Sequence, residues 1–191
     1  MDSNWQPIGF NQEDLKETVT HIHACAYQDD RADTGNQYGV PANHWILSLE
    51  ITTQRSVRID MNPLGLSLDF GRNPFQGQVQ VSSKTYRHTE RSIHTLSFPT
   101  KDKTMVKDIV DLINKNGLQV YTFSPEFKGC RYWVYKVVSH LEEEGIIDSG
   151  SADQTWRAIP YFYMPSGRIE SELKKGTFGP VGVATHSNSV K

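Results

Sequence analysis

The sequence predicts an α+β fold: an antiparallel β-meander of about five to six strands packed against two main helices. Three observations predict it. Apolar and polar residues alternate through the middle of the chain, the two-residue period of a half-buried strand. The spacing changes to that of a helix at residues 103–116 and again after residue 130. Gly, Pro, Asn and Ser punctuate the boundaries between these segments.

The first dozen residues read as a lead-in. Residues 13–27 carry both periods. Leu15, Val19, Ile22 and Ala26 have helical spacing, but residues 18–27 are β-branched and alternate, which favours a strand. Residues 29–43 are polar and contain Gly and Pro, so they predict a loop. His44–Thr52 reads His-Trp-Ile-Leu-Ser-Leu-Glu-Ile-Thr and predicts a strand. The short turn Thr53-Gln54-Arg55 leads into Ser56-Val57-Arg58-Ile59-Asp60-Met61, a second strand ended by Asn62-Pro63, and the two should form a hairpin. Residues 65–77 are loop-like, and 78–86 and 92–98 alternate again.

In residues 103–116, Met105, Val106, Ile109, Val110, Leu112 and Ile113 form one apolar stripe, with Gly117 as the stop. Residues 118–123 should be extended and 124–129 a turn. A second helix should run from Cys130 to Glu144, with Trp133, Val134, Val137, Val138 and Leu141 facing the core and Gly145 ending it. Residues 159–163 predict a short aromatic strand before the turn Pro165-Ser166-Gly167. The expected organisation is one α+β catalytic domain over residues 1–181 and a flexible tail over 182–191.

The 191 residues are 37% hydrophobic and 22% charged, enough apolar material for a packed core. No apolar run reaches the roughly 18–20 residues needed to span a bilayer. The N-terminal residues lack the pattern of a secretory signal, so a cytoplasmic protein without a membrane partner is expected. Two cysteines, Cys25 and Cys130, are too few for a disulfide framework and are expected as free thiols.

The net charge of −2 is unevenly spread. Residues 1–70 hold four Lys/Arg against ten Asp/Glu, and residues 71–191 hold sixteen against twelve. Residues 72–107 alone carry seven bases against two acids. Such a stretch can bind phosphates or form an ordinary solvated face.

Cys130 is the candidate reactive centre. It opens a predicted helix in Gly129-Cys130-Arg131-Tyr132-Trp133. A thiol reacts as its thiolate, and the unpaired N–H groups and dipole of a helix start favour that anion. Gly129 leaves room for a substrate carbonyl, helix N–H groups can hold an oxyanion, and Lys128 and Arg131 add positive charge. His44, at a strand start after a polar loop, is the candidate base. Asp60, on the paired strand but a few positions out of register, is the candidate to hold its second ring nitrogen. Arg131, Trp133, Trp45 and Trp156 are candidates to line a substrate pocket.

Other readings of these residue types stand open. Free cysteines are commonly buried and inert. A histidine at a strand start is often structural, and Asp60 before Met-Asn-Pro can bond to its own turn. His21, His23 and Cys25 share one face of a strand at a spacing compatible with zinc. No second ligand pair lies near them, so no metal and no other cofactor is expected. Glu142-Glu143-Glu144 reads as a solvated face.

His44-Trp45-Ile46-Leu47, then Val57-Arg58-Ile59-Asp60, then Gly129-Cys130-Arg131-Tyr132-Trp133-Val134 resembles the circularly permuted papain-like fold of permuted NlpC-type peptidases and lecithin:retinol acyltransferase-like proteins. In those families a His on a strand comes first, a polar orienting residue follows, and the nucleophilic Cys on a helix comes last. The resemblance implies Cys130 as nucleophile, His44 as base and Asp60 as orienting residue. It implies acyl transfer or hydrolysis through an acyl-thioester. The chain departs from the acyltransferases in lacking an Asn-Cys-Glu-His motif.

Residues 43–147 also look like a family of small fungal proteins of uncharacterised function. A weaker likeness is to fungal arginine-containing cyclodipeptide synthases, which join aminoacyl groups delivered by tRNA. It would make an aminoacyl donor the substrate and would assign Lys84, Arg87, Arg91, Lys101, Lys103 and Lys107 to tRNA binding. A third possibility is a non-enzymatic binding module on a papain-like fold.

Overall fold

The computed structural model of the protein describes residues 1–27, 43–64 and 73–179. The loop expected at 29–43 falls outside the described residues except for Asn43. So do most of the loop at 65–77, Arg72 of the basic stretch and the expected tail at 182–191.

The fold is α+β. Strands β1 (Trp5–Pro7), β2 (His21–Tyr27), β3 (His44–Thr52), β4 (Arg55–Pro63), β5 (Gly77–Lys84) and β6 (Ser92–Pro99) form one six-stranded sheet in the order β1-β5-β4-β3-β2-β6. All neighbours are antiparallel except β1 and β5, which are parallel. The meander therefore runs through β2-β3-β4-β5. The next strand, β6, crosses to the far side of β2 instead of pairing with β5. The expected strand at residues 18–27 exists as β2, in the interior of the sheet with a neighbour on each side.

Strand alternation gives the sheet two unlike faces. Ala24, Leu47, Ile59 and Leu96 lie abreast on one face, as do Ile22, Leu49, Val57 and Phe98. This face joins the apolar stripes of α1 (Val106–Lys115) and α2 (Cys130–Glu143) in one core. The other face is polar and carries His21, His23, Ser48, Glu50, Arg58 and Asp60.

Both helices follow their predicted stripes. Val106, Ile109, Val110, Leu112 and Ile113 are buried on α1, and Trp133, Val134, Val137, Val138 and Leu141 on α2. The Asp108 carboxylate accepts from the Met105 amide at 2.8 Å and closes the first turn of α1. A third helix, α3 (Ser151–Ala158), was not expected from the sequence. Glu142 accepts from the amides of Gly150 and Ala152 at 3.1 and 2.7 Å, so one of the three supposedly solvated glutamates caps the start of α3. Short pairs complete the fold: β7 (Tyr121–Thr122) with β10 (Thr177–Phe178), and β8 (Tyr161–Met164) with β9 (Gly167–Glu170). Among the described residues no helix is long and apolar enough to cross a membrane.

Candidate active site

The β3–β4 ladder ends at Leu47 and Ile59. Beyond that point β3 continues on β2, and β4 continues on β5. The two strands part and leave a seam, and the first residue of α2, Cys130, sits in it.

Continuing the register places Asp60 opposite Ile46, two positions from His44 on the same polar face. Diagonal neighbours of this kind are within reach of a long side chain. His44 Nε2–H donates to Asp60 Oδ1 at 2.6 Å. The carboxylate only accepts, so this bond fixes the proton on Nε2 and leaves Nδ1 for the thiol. The Cys130 sulfur lies near the His44 ring and the Trp45 backbone N–H, and both favour its ionised form.

The electrostatics of the three groups agree with the geometry. Burial opposes charge on His44, but Asp60 and Cys130 outweigh it and hold the imidazole well above its ordinary value. Burial also favours the neutral thiol of Cys130. His44 and the Trp45 amide outweigh that, and its pKa is lowered. Asp60 is held down to about 2: its burial is overcome by His44 and by Arg58, whose Nη2 donates to Asp60 Oδ2 at 2.5 Å. All three shifts favour the charged forms: protonated His44, ionised Cys130 and ionised Asp60. Cys25 contrasts with this. It is fully buried, and burial pushes its thiol up to about 11.

Gly129 matters for a reason other than substrate access. Its φ is +149°, and a Cβ there would come 2.7 Å from the Tyr121 hydroxyl, which itself donates to the Gly129 carbonyl at 3.0 Å. A side chain would push the start of α2 away from its seat. The amides of the first turn of a helix have no partner within the helix.

The candidate substrate residues are placed differently from their expected role. Arg131 is 3% exposed, and its guanidinium donates to the carbonyls of Ile159, Ser171 and Glu172 at 2.9, 3.4 and 2.5 Å. It ties the later segments to the start of α2. Trp133 is fully buried and donates to the Leu118 carbonyl at 2.7 Å. Trp45 is fully buried too, because the residue after His44 must face the opposite side of the strand. Trp156 is half exposed and packs on Tyr135, with ring centroids 4.9 Å apart. Arg131→Ala is expected to cost about 2–4 kcal/mol, since buried carbonyls lose charged donors. Urea unfolding followed by tryptophan fluorescence measures it.

Three of the six basic candidates are matched by acids. Arg87 Nε donates to Glu50 at 2.8 Å, Lys101 pairs with Asp148 at 3.1 Å, and Lys107 pairs with Asp111. Lys103 is exposed and Arg91 has interactions of its own. Lys84 opens into a cleft beside Asp60. Sequence reasoning missed Arg58 and Tyr27, which supports Arg58 through a 2.7 Å bond. The signal for Arg58 was present: two residues before Asp60 on a strand lies on the same face.

A second histidine–carboxylate chain lies on the same face. His23 Nε2–H donates to Glu50 at 2.8 Å, and its Nδ1 accepts from the Ser97 hydroxyl at 2.8 Å. His21 stacks on His23. The zinc-like spacing of His21, His23 and Cys25 thus belongs to a hydrogen-bonded network. Among the described residues no three ligand side chains stand where they could hold a metal. The Ser97 hydroxyl projects from the middle of the β2–β6 ladder, where backbone N–H groups pair with the neighbouring strand. It has no counterpart of the open helix start at Cys130.

No curated protein and no solved structure matches the chain. One family model does, over residues 22–179, a span that contains His44, Asp60 and Cys130. The chain belongs to that family, described as a domain of unknown function, DUF7770.

Proposed function

We propose that the protein is a cysteine-dependent acyl-transfer enzyme with a permuted papain-like arrangement of nucleophile, base and orienting residue. The observation that carries this reading is the continuous chain Arg58–Asp60–His44–Cys130 ending on a thiol at a helix start. A buried inert cysteine would have no use for a base held by a buried carboxylate. A binding module with Cys130 packed under Trp133 would not place the sulfur against His44.

In the resting site His44 holds the proton and Cys130 is a thiolate. The sulfur attacks the carbonyl carbon of an ester, thioester or amide, and the carbonyl electron pair moves to oxygen. Amides at the start of α2 stabilise that oxyanion. When the tetrahedral adduct collapses, the bond to the leaving group breaks and His44 Nδ1 protonates that group, leaving an acyl-thioester on Cys130. A water or an amine then attacks the thioester while His44 takes its proton. Collapse expels the Cys130 thiolate and restores the ion pair. Asp60 keeps the ring oriented throughout and stabilises the imidazolium.

Incubation with p-nitrophenyl acetate followed by peptide mass spectrometry tests the reading. The expected result is one acetyl group on Cys130, removed by neutral hydroxylamine and absent from Cys130→Ser. Acetylation spread over lysines, or equal at Cys25 and Cys130, overturns it.

A further inference from the structure

Asp60 has a second side. Its Oδ1 accepts from His44 and its Oδ2 from Arg58, and the residue also lines a cleft of about 260 Å³ on the polar face of the sheet. Ile8, Tyr27, Arg58, Asn62, Gln80, Ser82 and Lys84 line the rest of that cleft. Among the described residues its charges do not balance. Arg58 and Lys84 contribute two positive charges, and Asp60, already shared between Arg58 and His44, contributes one negative charge. The Lys84 ammonium makes no hydrogen bond or ion pair with any described residue. Its ammonium is partly removed from water, and it feels Arg58 as a like charge. A partly desolvated cation with no ion-pair partner among the described residues, beside amide and hydroxyl side chains, is well matched by an oxyanion.

We propose that this cleft is an anion subsite attached to the Cys130 site, taking a carboxylate or phosphate group carried by the acyl substrate. The link to the reacting atoms rests on the acyl-transfer reading above. The binding itself rests only on the cleft. An anion held between Lys84 and Arg58 competes with Asp60 for the guanidinium. This alters the field that Asp60 exerts on His44 and hence the thiolate at Cys130. The subsite would thus select substrates with a negative group and report its occupancy to the nucleophile.

The test uses the full chain and two probes, inorganic phosphate and acetate, at constant ionic strength. Calorimetry should show saturable binding of at least one of them, and the tighter of the two identifies the source of the anion. Losing one charge-assisted contact predicts weakening by about tenfold or more in Lys84→Met and little change in Lys84→Arg. The same anion should change the rate of Cys130 alkylation, with half-saturation at the calorimetric midpoint. Failure of both probes to saturate, or wild-type binding in Lys84→Met, overturns the subsite. Binding with no effect on an otherwise activated Cys130 overturns its link to the reaction. A Cys130 that proves no more reactive than Cys25 counts against the acyl-transfer reading, while Lys84-dependent binding in calorimetry still supports the cleft.

Discussion

Replacing His44 by alanine is expected to slow iodoacetamide alkylation of Cys130 at pH 6 by about a hundredfold. A free thiol has a pKa of about 8.5, so near pH 6 only a few parts in a thousand are thiolate. In the proposed ion pair His44 and the Trp45 amide lower the Cys130 pKa, so its alkylation rate should fall less steeply from pH 8 to pH 6 than that of an ordinary thiol. Without His44 the rate should fall about tenfold for each pH unit below the ordinary thiol value. Cys25 provides the internal control. It is buried and its thiol is pushed up to about 11, so it should stay unmodified in both proteins until they unfold. Peptide mapping of both cysteines against pH gives the answer, and a His44→Ala profile that overlays the wild type would rule out the ion pair.

The same pair makes a statement about stability. His44 has a raised pKa in the folded state, so its contribution is complete below its unfolded value and fades as pH rises through the folded one. Cys130 has a lowered pKa, so its contribution is complete above the unfolded thiol value and fades as pH falls. The summed contribution of the pair is therefore greatest around the interval between the two unfolded values, about 6.5 and 8.5, and declines toward acid and toward alkaline pH.

Asp60→Asn should have the largest effect on stability, a loss of about 3–5 kcal/mol at neutral pH, because it leaves Arg58 and a buried imidazolium without their anion. The pH dependence carries the sign. Asp60 sits at about 2 in the folded protein, below its ordinary value of 3.8, so its contribution is present above the ordinary value and disappears as pH falls toward 2. Wild-type protein should therefore lose stability over that acid window, and Asp60→Asn should lose distinctly less. Urea titrations at pH 7, 4 and 2.5 measure both the offset and its disappearance. Parallel stability curves for the two proteins would mean that the carboxylate is not ionised by its neighbours.

What could be read in the sequence followed the range of the interactions. The β3–β4 hairpin, the diagonal from His44 to Asp60, and the helix opening at Cys130 all arise from neighbours close in sequence. Alternation, a short polar turn, and a glycine before an apolar stripe reveal them. The position of β6 beyond β2, and the parallel insertion of β1 beside β5, depend on contacts between distant segments that no local pattern encodes. Helix α3 was missed because Glu142, on the preceding helix, supplies its cap. Arg131 was misjudged because its partners are backbone carbonyls in later segments, which leave no mark in composition. Trp45 was misjudged despite the available rule, since neighbours on a strand point to opposite faces and His44 already claimed the polar one.

The seam between β3 and β4 also bears on when the site comes into being. His44 and Asp60 meet across a hairpin with a very short loop, a contact whose closure is inexpensive and fast. Cys130 reaches them only when a helix far along the chain has been synthesised and has docked. A newly made chain would thus carry its base and carboxylate ready for some time with no nucleophile. Its thiol would remain an ordinary one until the last third of the fold closes over the sheet. Reactivity at Cys130 is in that sense a sensor of completed folding, and pulse alkylation during refolding would time the final docking step.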